Sequence, residues 1–287
     1  MTENLIVVIT GASRGIGRGI ARSFGAAGAT VYVTGRTRRS GSPARPDEMP
    51  LPGTIEDAAA EVTSLGGTGI AVECDLAQDD QIRDLFARVA RECGHVDILV
   101  NNAAFLHNAT GTPGPFWTRP VEMANILDVG LRCHFVATYY AAPLMIKKGK
   151  GLVVNISFFG DARMHDPAYY AAKAGLDKLA DCFAADFKPF GVAAVSLWPG
   201  VVATERVVQI AEQLPSLKER LSEFETQDFS GLVIQGLYQD PSLMTLTGKT
   251  LIAAELAAKY GIKDTNGNRP ISYRGTYGEP HKAFDVA

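Results

Sequence analysis

The chain of 287 residues has few cysteines, no long apolar run and no concentration of charge. Its four cysteines, Cys74, Cys93, Cys133 and Cys182, form no CxxC pair and have no histidine at ligand spacing. No apolar run approaches the ~20 residues of a membrane-spanning helix, and the opening MTENLIVVITG has no basic segment before its short apolar stretch. We therefore expect a cytoplasmic protein without a membrane span, a disulfide or a metal site.

Basic residues are not gathered into a patch. The chain has 28 Lys and Arg against 31 Asp and Glu, and its longest basic runs are the two or three residues around Arg38 and Lys147. Nucleic-acid binding needs a basic footprint, so we expect no nucleic-acid partner. A hydrophobic content of 46% over this length is enough for one large domain.

Apolar runs that favour strands alternate with helical patterns along the chain. The strand candidates are LIVVIT, TVYVTG, GIAVECD, DILVNNA, GLVVNIS, VAAVSLWPG and KTLIAA. Helical patterns of crossover length separate them, among them Val121 to Lys147 and Ala168 to Phe187. This alternation predicts an α/β protein with a doubly wound Rossmann fold: a seven-stranded parallel sheet with helices on both faces. Ligands bind such sheets at the carboxyl ends of the strands.

A glycine-rich turn, TGASRGIG at Thr10 to Gly17, follows the first predicted strand and begins a helix. Glycines let a ligand approach the backbone, and the helix N-terminus offers amides and a positive dipole to a pyrophosphate. Such turns also serve close packing, but the position at the start of the sheet favours a dinucleotide site. The residues expected to contact it are Gly11, Ser13, Arg14, Gly15, Ile16 and Gly17.

The end of the second predicted strand bears on which dinucleotide is bound. An NAD site usually has an acidic residue there, about twenty residues after the glycines, to hold the ribose 2′-hydroxyl. Here the strand ends at Gly35 and Arg36, and no acid appears before Asp47. Arg36 and Arg14 could bind a 2′-phosphate through charge-assisted hydrogen bonds. The simpler alternative is that both arginines are solvated surface residues. We expect NADP(H), with NAD(H) less favoured.

Tyr169 and Lys173 are spaced i, i+4, which places the phenol and the ammonium on one helix face. The cation favours the phenolate, so we expect it to lower the phenol pKa and make Tyr169 a proton donor for a carbonyl oxygen. Ser157, at the end of a predicted strand, could hold the same oxygen. Tyr170 lies three residues from Lys173, so Tyr169 is the predicted acid.

Two segments interrupt the alternation of strands and helices. Residues 37–54 are rich in Pro, Gly and Ser and predict a solvated surface insertion or, alternatively, a loop that folds over the adenine end of a cofactor. Residues 204–228 have a helical pattern and lie between the last two predicted strands. They predict a substrate lid or an ordinary pair of surface helices. With both included, residues 1–287 are expected to form a single dinucleotide-binding and catalytic domain.

Taken together, these motifs resemble the short-chain dehydrogenase/reductase family from about Leu5 to Ala254. The resemblance rests on TGASRGIG, an acid at Asp75, NNA at Asn101 to Ala103, the set of Ser157, Tyr169 and Lys173, and the PGxxxT motif from Pro199 to Thr204. The segments NILDVGLRCHF and LTGKTLIAAELAAKYGIKDTNGNRP are more narrowly similar to one subgroup with animal members.

The resemblance implies further cofactor contacts. Asp75 and Leu76 would border the adenine, and Lys173 would also hold the nicotinamide ribose. The remaining implied contacts are Asn102, Ala103 and Ala104 along the cofactor and Pro199, Gly200, Val202 and Thr204 at the nicotinamide amide. As structural alternatives, Asp75 could serve only to cap the N-terminus of a helix, and the buried side chain of Asn101 could serve only to hold the backbone through hydrogen bonds.

Three features depart from the family pattern. Gly130 stands where the family often has a catalytic Asn, and Asn125 lies about 140° around a helix from that position. Ser157 precedes Tyr169 by twelve residues, where thirteen are usual, and NNAA replaces the commoner NNAG. The glycine could leave space for a water that relays protons to Lys173, or it could serve close helix packing.

The expected function is an NADP(H)-dependent oxidoreductase that interconverts a hydrophobic ketone or aldehyde and its alcohol. Alternatives are a dinucleotide-binding regulatory or scaffold protein without turnover, and an enoyl reductase or epimerase. The family resemblance also implies a homodimer or homotetramer formed through the two long helices, whose apolar stripes include Phe135, Leu176 and Phe183. Aromatic and apolar residues next to the motifs could line the substrate pocket: Phe105, Phe158, Phe159, Met164 and Trp198.

Overall fold

The computed structural model describes residues 4–38, 48–160 and 166–280. Seven strands form one sheet in the order β3-β2-β1-β4-β5-β6-β7, and every neighbouring pair is parallel. This confirms the predicted sheet. The strands are β1 Ile6–Ile9, β2 Thr30–Gly35, β3 Thr68–Glu73, β4 Ile98–Asn101, β5 Gly151–Ile156, β6 Val192–Trp198 and β7 Thr250–Ile252.

Helices cover both faces of the sheet. Along β1, Ile6 and Val8 pack into one apolar cluster, while Val7 and Ile9 pack into the other, as alternation along a strand requires. Both faces are therefore dry, which explains why the strands are continuous apolar runs. The helices are α1 Gly15–Ala26, α2 Ile55–Ser64, α3 Asp79–Glu92, α4 Cys133–Ile146, α5 Pro167–Phe187, α6 Glu205–Ala211, α7 Pro215–Lys218, α8 Phe229–Gln239 and α9 Ala253–Tyr260.

The strand order reverses between β1 and β4. From β1 the chain passes to β2 and β3 on one side, and β4 then pairs with the other side of β1. The turn after β1 and the segment after β4 therefore meet at the carboxyl edge of the sheet. A reversal of this kind opens the crevice in which α/β proteins bind ligands.

The prediction of one continuous helix from Val121 to Lys147 was wrong. A 3₁₀ segment, Val121–Ile126, and a π-type turn, Asp128–Arg132, precede α4. Inside that turn, Gly130 has φ 157° and ψ −14°, outside the helical region. The break leaves the Val129 carbonyl free to accept a hydrogen bond of 2.7 Å from the Phe105 amide, which ties this turn to the segment after β4.

The other long helix, α5, agrees with the prediction to within one residue. It begins after Asp166, whose side chain accepts hydrogen bonds from the amides of Ala168 at 2.9 Å and Tyr169 at 3.1 Å. Pro167 occupies the first helical position, where a missing amide hydrogen costs nothing. No helix in the described ranges is long and apolar enough to cross a membrane.

Candidate active site

The three predicted catalytic residues come together where β5 meets α5. Ser157 directly follows β5, and Tyr169 and Lys173 lie on successive turns at the start of α5. Two reciprocal hydrogen bonds join the elements: the Lys173 ammonium donates to the Ile156 carbonyl at 2.8 Å, and the Ser157 hydroxyl donates to the Lys173 carbonyl at 2.9 Å. All three side chains are buried, with at most 9% exposure.

The electrostatics of the pair differ from the expectation. Burial lowers the pKa of Lys173 to about 8. Burial also raises the pKa of Tyr169, with smaller contributions from Tyr170 and Asp166. The Lys173 nitrogen lies 5.6 Å from the centre of the Tyr169 ring and donates to a backbone carbonyl. The predicted lowering of the phenol pKa was therefore wrong for this geometry, because the loss of water on burial is the largest contribution and raises that pKa.

Asp177 is a buried carboxylate that the sequence reasoning missed. Its side chain accepts hydrogen bonds from the Trp198 indole at 3.0 Å and from the Ser196 hydroxyl. Burial raises the pKa of Asp177, while the negative charge of Asp177 opposes the lowering of the Lys173 pKa. It follows Lys173 by four residues, so helical spacing alone places both on one face of α5. That spacing was the available signal.

A buried histidine at the start of α4 also contacts the site. The His134 Nε2 atom lies 2.9 Å from the Ala103 carbonyl oxygen, so this nitrogen must carry a proton. Burial and the charge of Lys173 lower the pKa of His134 to about 3. The ring is therefore neutral at physiological pH. Its position four residues after Gly130, in an otherwise apolar stretch, was the signal in the sequence.

The glycine-rich turn packs directly against the segment after β4. An added Cβ at Gly11, where φ is 65°, would lie 2.7 Å from the Ala103 Cα atom, and one at Gly17 would lie 2.5 Å from the Asn102 side-chain nitrogen. The Asn102 amide group donates to the carbonyls of Thr10 and Gly11 at 2.9 and 3.1 Å. Asn102 thus fixes the shape of the turn, and both glycines are required by close approach.

The turn holds an anionic oxygen at its end. The Gly15 amide, at the start of α1, donates to a carboxylate oxygen of Glu205 at 2.9 Å. The Thr204 methyl group lies 3.5 Å from the point where a Gly15 Cβ would be. The PGxxxT motif therefore reaches the turn, and the chemistry of the turn suits a phosphate, since the Gly15 amide already binds a negative oxygen.

The other predicted contacts occupy the same edge of the sheet. Asp75 accepts a hydrogen bond from the Ala77 amide at 3.0 Å, which is a local turn rather than the cap of α3. Ala104 lies beside Gly130, 3.9 Å from the position of an added Cβ there. Ser13, Leu76, Pro199 and Val202 are buried, and Ile16 is partly buried.

Neither predicted phosphate-binding arginine is free. Arg36 pairs with Glu48 at 2.7 Å, and the Arg14 guanidinium donates to the Gly53 carbonyl at 3.1 Å. Leu51 and Thr54, at the end of the predicted insertion, are each 5% exposed. Residues 48–54 are thus partly buried: Leu51 and Thr54 are buried, whereas Pro50 and Pro52 are exposed. Residues 39–47 of the insertion lie outside the described residues.

Glu225 supports the PGxxxT motif and was also missed. Its carboxylate accepts from the Gly200 amide at 2.8 Å, and its backbone pairs with Val201 and Ala203 through two bonds of 2.9 Å. The residue is 2% exposed, and its Oε2 atom has no hydrogen-bond partner among the residues that the structure describes. Burial raises the pKa of Glu225 to about 8. Nothing in the local pattern marked this glutamate among the many acids of residues 204–228.

Aromatic rings cluster beside the predicted catalytic residues. Phe158 packs edge-on against Tyr169 with 6.5 Å between ring centres, and Phe159 contacts Trp198 at 4.8 Å. Tyr273 and Tyr277, which the sequence reasoning missed, stack at 4.8 Å and both contact Phe159. Phe105 is 1% exposed, and Met164 lies outside the described residues.

Comparison with known proteins places this arrangement in a family. The short chain dehydrogenase model matches residues 5–215. The chain belongs to the short-chain dehydrogenase family. It is 40% identical to human Dehydrogenase/reductase SDR family member 1 over 93% of this chain and 84% of that protein. It is 33% identical to the D-beta-hydroxybutyrate dehydrogenase of Rhizobium meliloti strain 1021 over 80% and 82% of the two chains.

A solved structure agrees with this assignment. The crystal structure of a putative dehydrogenase from Xanthomonas campestris matches with a TM-score of 0.77 and 28% identity over 94% of both chains. Members of this family are oxidoreductases that use nicotinamide dinucleotides and act on small molecules. Across the described ranges, His, Cys, Asp and Glu side chains form no group of three that could hold a metal ion.

The buried Glu225 predicts a pH dependence of stability. Its pKa is near 8 in the folded chain and 4.5 for an ordinary glutamate, so between these values the folded chain binds the extra proton and the free energy of unfolding falls as pH rises. Glu225→Gln should remove this slope and gain on the order of 1–3 kcal/mol relative to the unmutated protein between pH 5 and pH 8.

Urea unfolding at several pH values measures this effect. The matched control is Glu219→Gln, an exposed residue of the same segment, which should follow the unmutated protein. Parallel pH profiles for Glu225→Gln and the unmutated protein would contradict a protonated buried Glu225.

Proposed function

We propose that the protein is an NADP(H)-dependent oxidoreductase that interconverts a hydrophobic ketone or aldehyde and its alcohol. The observation that carries this proposal is the buried set of Ser157, Tyr169 and Lys173, locked by the reciprocal hydrogen bonds between β5 and α5. A relative named as a hydroxybutyrate dehydrogenase supports alcohol chemistry, and the aromatic cluster supports an apolar substrate.

The nicotinamide, when bound, supplies or accepts the hydride. Because burial raises the pKa of Tyr169, its hydroxyl stays protonated until the proton is transferred to the carbonyl oxygen of the substrate. This suits a general acid in reduction. The positive charge of Lys173 then stabilises the phenolate that remains. The Ser157 hydroxyl donates to the Lys173 carbonyl in the free protein, so it must rotate to donate to a substrate oxygen.

The cofactor would extend along the carboxyl edge of the sheet. The turn from Thr10 to Gly17 would hold its pyrophosphate, and Asp75 with Leu76 would border the adenine. Residues after β4 and in the PGxxxT motif would line the nicotinamide half. The segment 204–228, which contains α6 and α7, would act as the substrate lid of a single dinucleotide-binding and catalytic domain.

Replacement of Tyr169 with Phe tests the assignment of the acid. The phenyl ring keeps the packing against Phe158 and Tyr170, whereas the proton donor is lost. We expect kcat for ketone reduction to fall about 10²- to 10⁴-fold and the Kd for NADPH to stay nearly unchanged. Tyr170→Phe, which removes the neighbouring hydroxyl, is the control and should retain activity. An inactive Tyr170→Phe with an active Tyr169→Phe would refute the assignment.

The preference for NADP(H) depends on Arg36 and its partner Glu48. A 2′-phosphate would take the guanidinium from the Glu48 carboxylate, which lies 2.7 Å away in the free protein. Charge-assisted bonds contribute about 1.5–3 kcal/mol, so one such contact gives about ten- to hundredfold discrimination. We expect Arg36→Ala to weaken NADPH binding and to leave NADH binding nearly unchanged.

Calorimetric titration with both cofactors measures this preference. Glu48→Gln is the informative companion, because it removes the competing charge and should strengthen NADPH binding. If Glu48 instead bound the ribose 2′-hydroxyl of NADH, the same variant would weaken NADH binding. Equal Kd values for the two cofactors in the unmutated protein would contradict the proposed preference.

We also propose a homodimer or homotetramer formed through α4 and α5. Phe135 and Tyr139 on α4 are 50% and 65% exposed, and Phe135 contacts Phe183 of α5 at 6.1 Å between ring centres. Leu176, part of the predicted stripe, is instead fully buried. An exposed aromatic face of this kind suits a self-complementary interface.

Sedimentation velocity at micromolar concentration should give at least twice the mass of one chain. Phe135→Glu should shift the protein towards the monomer, because it places charge in the apolar face. Phe190→Glu, at another exposed aromatic residue, is the control and should leave the mass unchanged. A monomeric unmutated protein would exclude the proposed assembly.

A further inference from the structure

The first amide of α1 donates a hydrogen bond to a residue that is distant in the chain. The first amides of a helix have no partner within the helix, and the N-cap residue Arg14 makes no side-chain cap. Instead, Glu205, the first residue of α6, places its carboxylate oxygen 2.9 Å from the Gly15 nitrogen. The two residues are 190 positions apart in the sequence. A negative side chain therefore lies where the dipole of α1 is positive.

The local requirements of α6 do not explain this contact. That helix has its own cap, since the Thr204 hydroxyl accepts from the Val207 amide. The Glu205 side chain is thus free to face α1. Its charge also acts on two arginines there: it opposes the lowering of the Arg14 pKa by burial and adds to the raised pKa of Arg18. Glu205 therefore lies in a positive environment suited to a phosphate.

We propose that Glu205 is an affinity-determining residue of the dinucleotide site: in the free protein its carboxylate takes the place of a cofactor phosphate oxygen at the Gly15 amide, and it must leave before a pyrophosphate binds. The inference rests on the proposed placement of the pyrophosphate at this turn. One amide hydrogen cannot donate a hydrogen bond of full strength to two anionic oxygens at once. In addition, two negative groups at one helix end repel each other.

Displacement of Glu205 has a structural consequence. Because Glu205 belongs to α6, cofactor entry breaks the contact between α6 and α1. The start of the segment proposed as the substrate lid thereby loses its hydrogen bond to α1, while Arg22 of α1 still pairs with Asp228 at the end of that segment. The free energy of the Gly15–Glu205 contact is subtracted from the binding of every dinucleotide, whether or not that dinucleotide carries a 2′-phosphate.

Dissociation constants for NAD⁺ and NADP⁺, measured by calorimetry, test the proposal. In Glu205→Gln the acceptor becomes neutral, and charge-assisted bonds are about twice as strong as neutral ones, so both constants should fall by about the same factor, three- to tenfold. Glu205→Asp keeps the charge but withdraws the oxygen by one methylene, and it should also bind both cofactors more tightly. Glu212→Gln, exposed just after α6, should bind like the unmutated protein.

Other outcomes would separate the alternatives. Unchanged or weaker binding by Glu205→Gln overturns the proposal. Tighter binding by Glu205→Gln but not by Glu205→Asp also overturns it, because only the general charge would then matter. Failure of every variant and of the unmutated protein to bind either dinucleotide would instead overturn the proposed cofactor site. Thermal melts establish that each variant is folded.

Discussion

The candidate site depends on a buried ammonium that is tied to the end of a central strand. Lys173 donates to the Ile156 carbonyl, and Ser157 donates back to the Lys173 carbonyl, so two hydrogen bonds join the end of β5 to α5. A buried cation is costly unless it is paired, and Asp177, one turn further along α5, provides the opposite charge. The position of Tyr169 follows from this attachment, because its backbone belongs to the same helix.

At the proposed cofactor site, carboxylates of the chain already lie against two of the positive groups. The Glu205 carboxylate accepts a hydrogen bond from the Gly15 amide, and Glu48 forms an ion pair with Arg36. These contacts satisfy groups that would otherwise lie unpaired in a partly buried crevice. An anionic ligand that bound there would replace one partner with another, so its affinity would reflect the difference between two similar interactions.

The sheet was predictable because its signals are local and repeated. Apolar runs of strand length, crossover helices and the spacing of Tyr169 and Lys173 each follow from neighbouring residues. The break at Gly130 was not predicted, because the bond from Phe105 to the Val129 carbonyl joins segments distant in the chain. The contact of Glu205 with the Gly15 amide and the raised pKa of Tyr169 were not predicted for the same reason. Both depend on contacts and burial that only the folded chain defines.

We propose that Ser157, Tyr169 and Lys173 direct hydride transfer to a carbonyl carbon. The most direct measurement is mass spectrometry of the alcohol formed from an aromatic ketone and NADPH deuterated at the transferring position of the nicotinamide ring. We expect one deuterium on the former carbonyl carbon, and with Tyr169→Phe at least about 100-fold less labelled alcohol in the same time. Alcohol without the label, or a labelled product reduced at a carbon–carbon double bond, would contradict it.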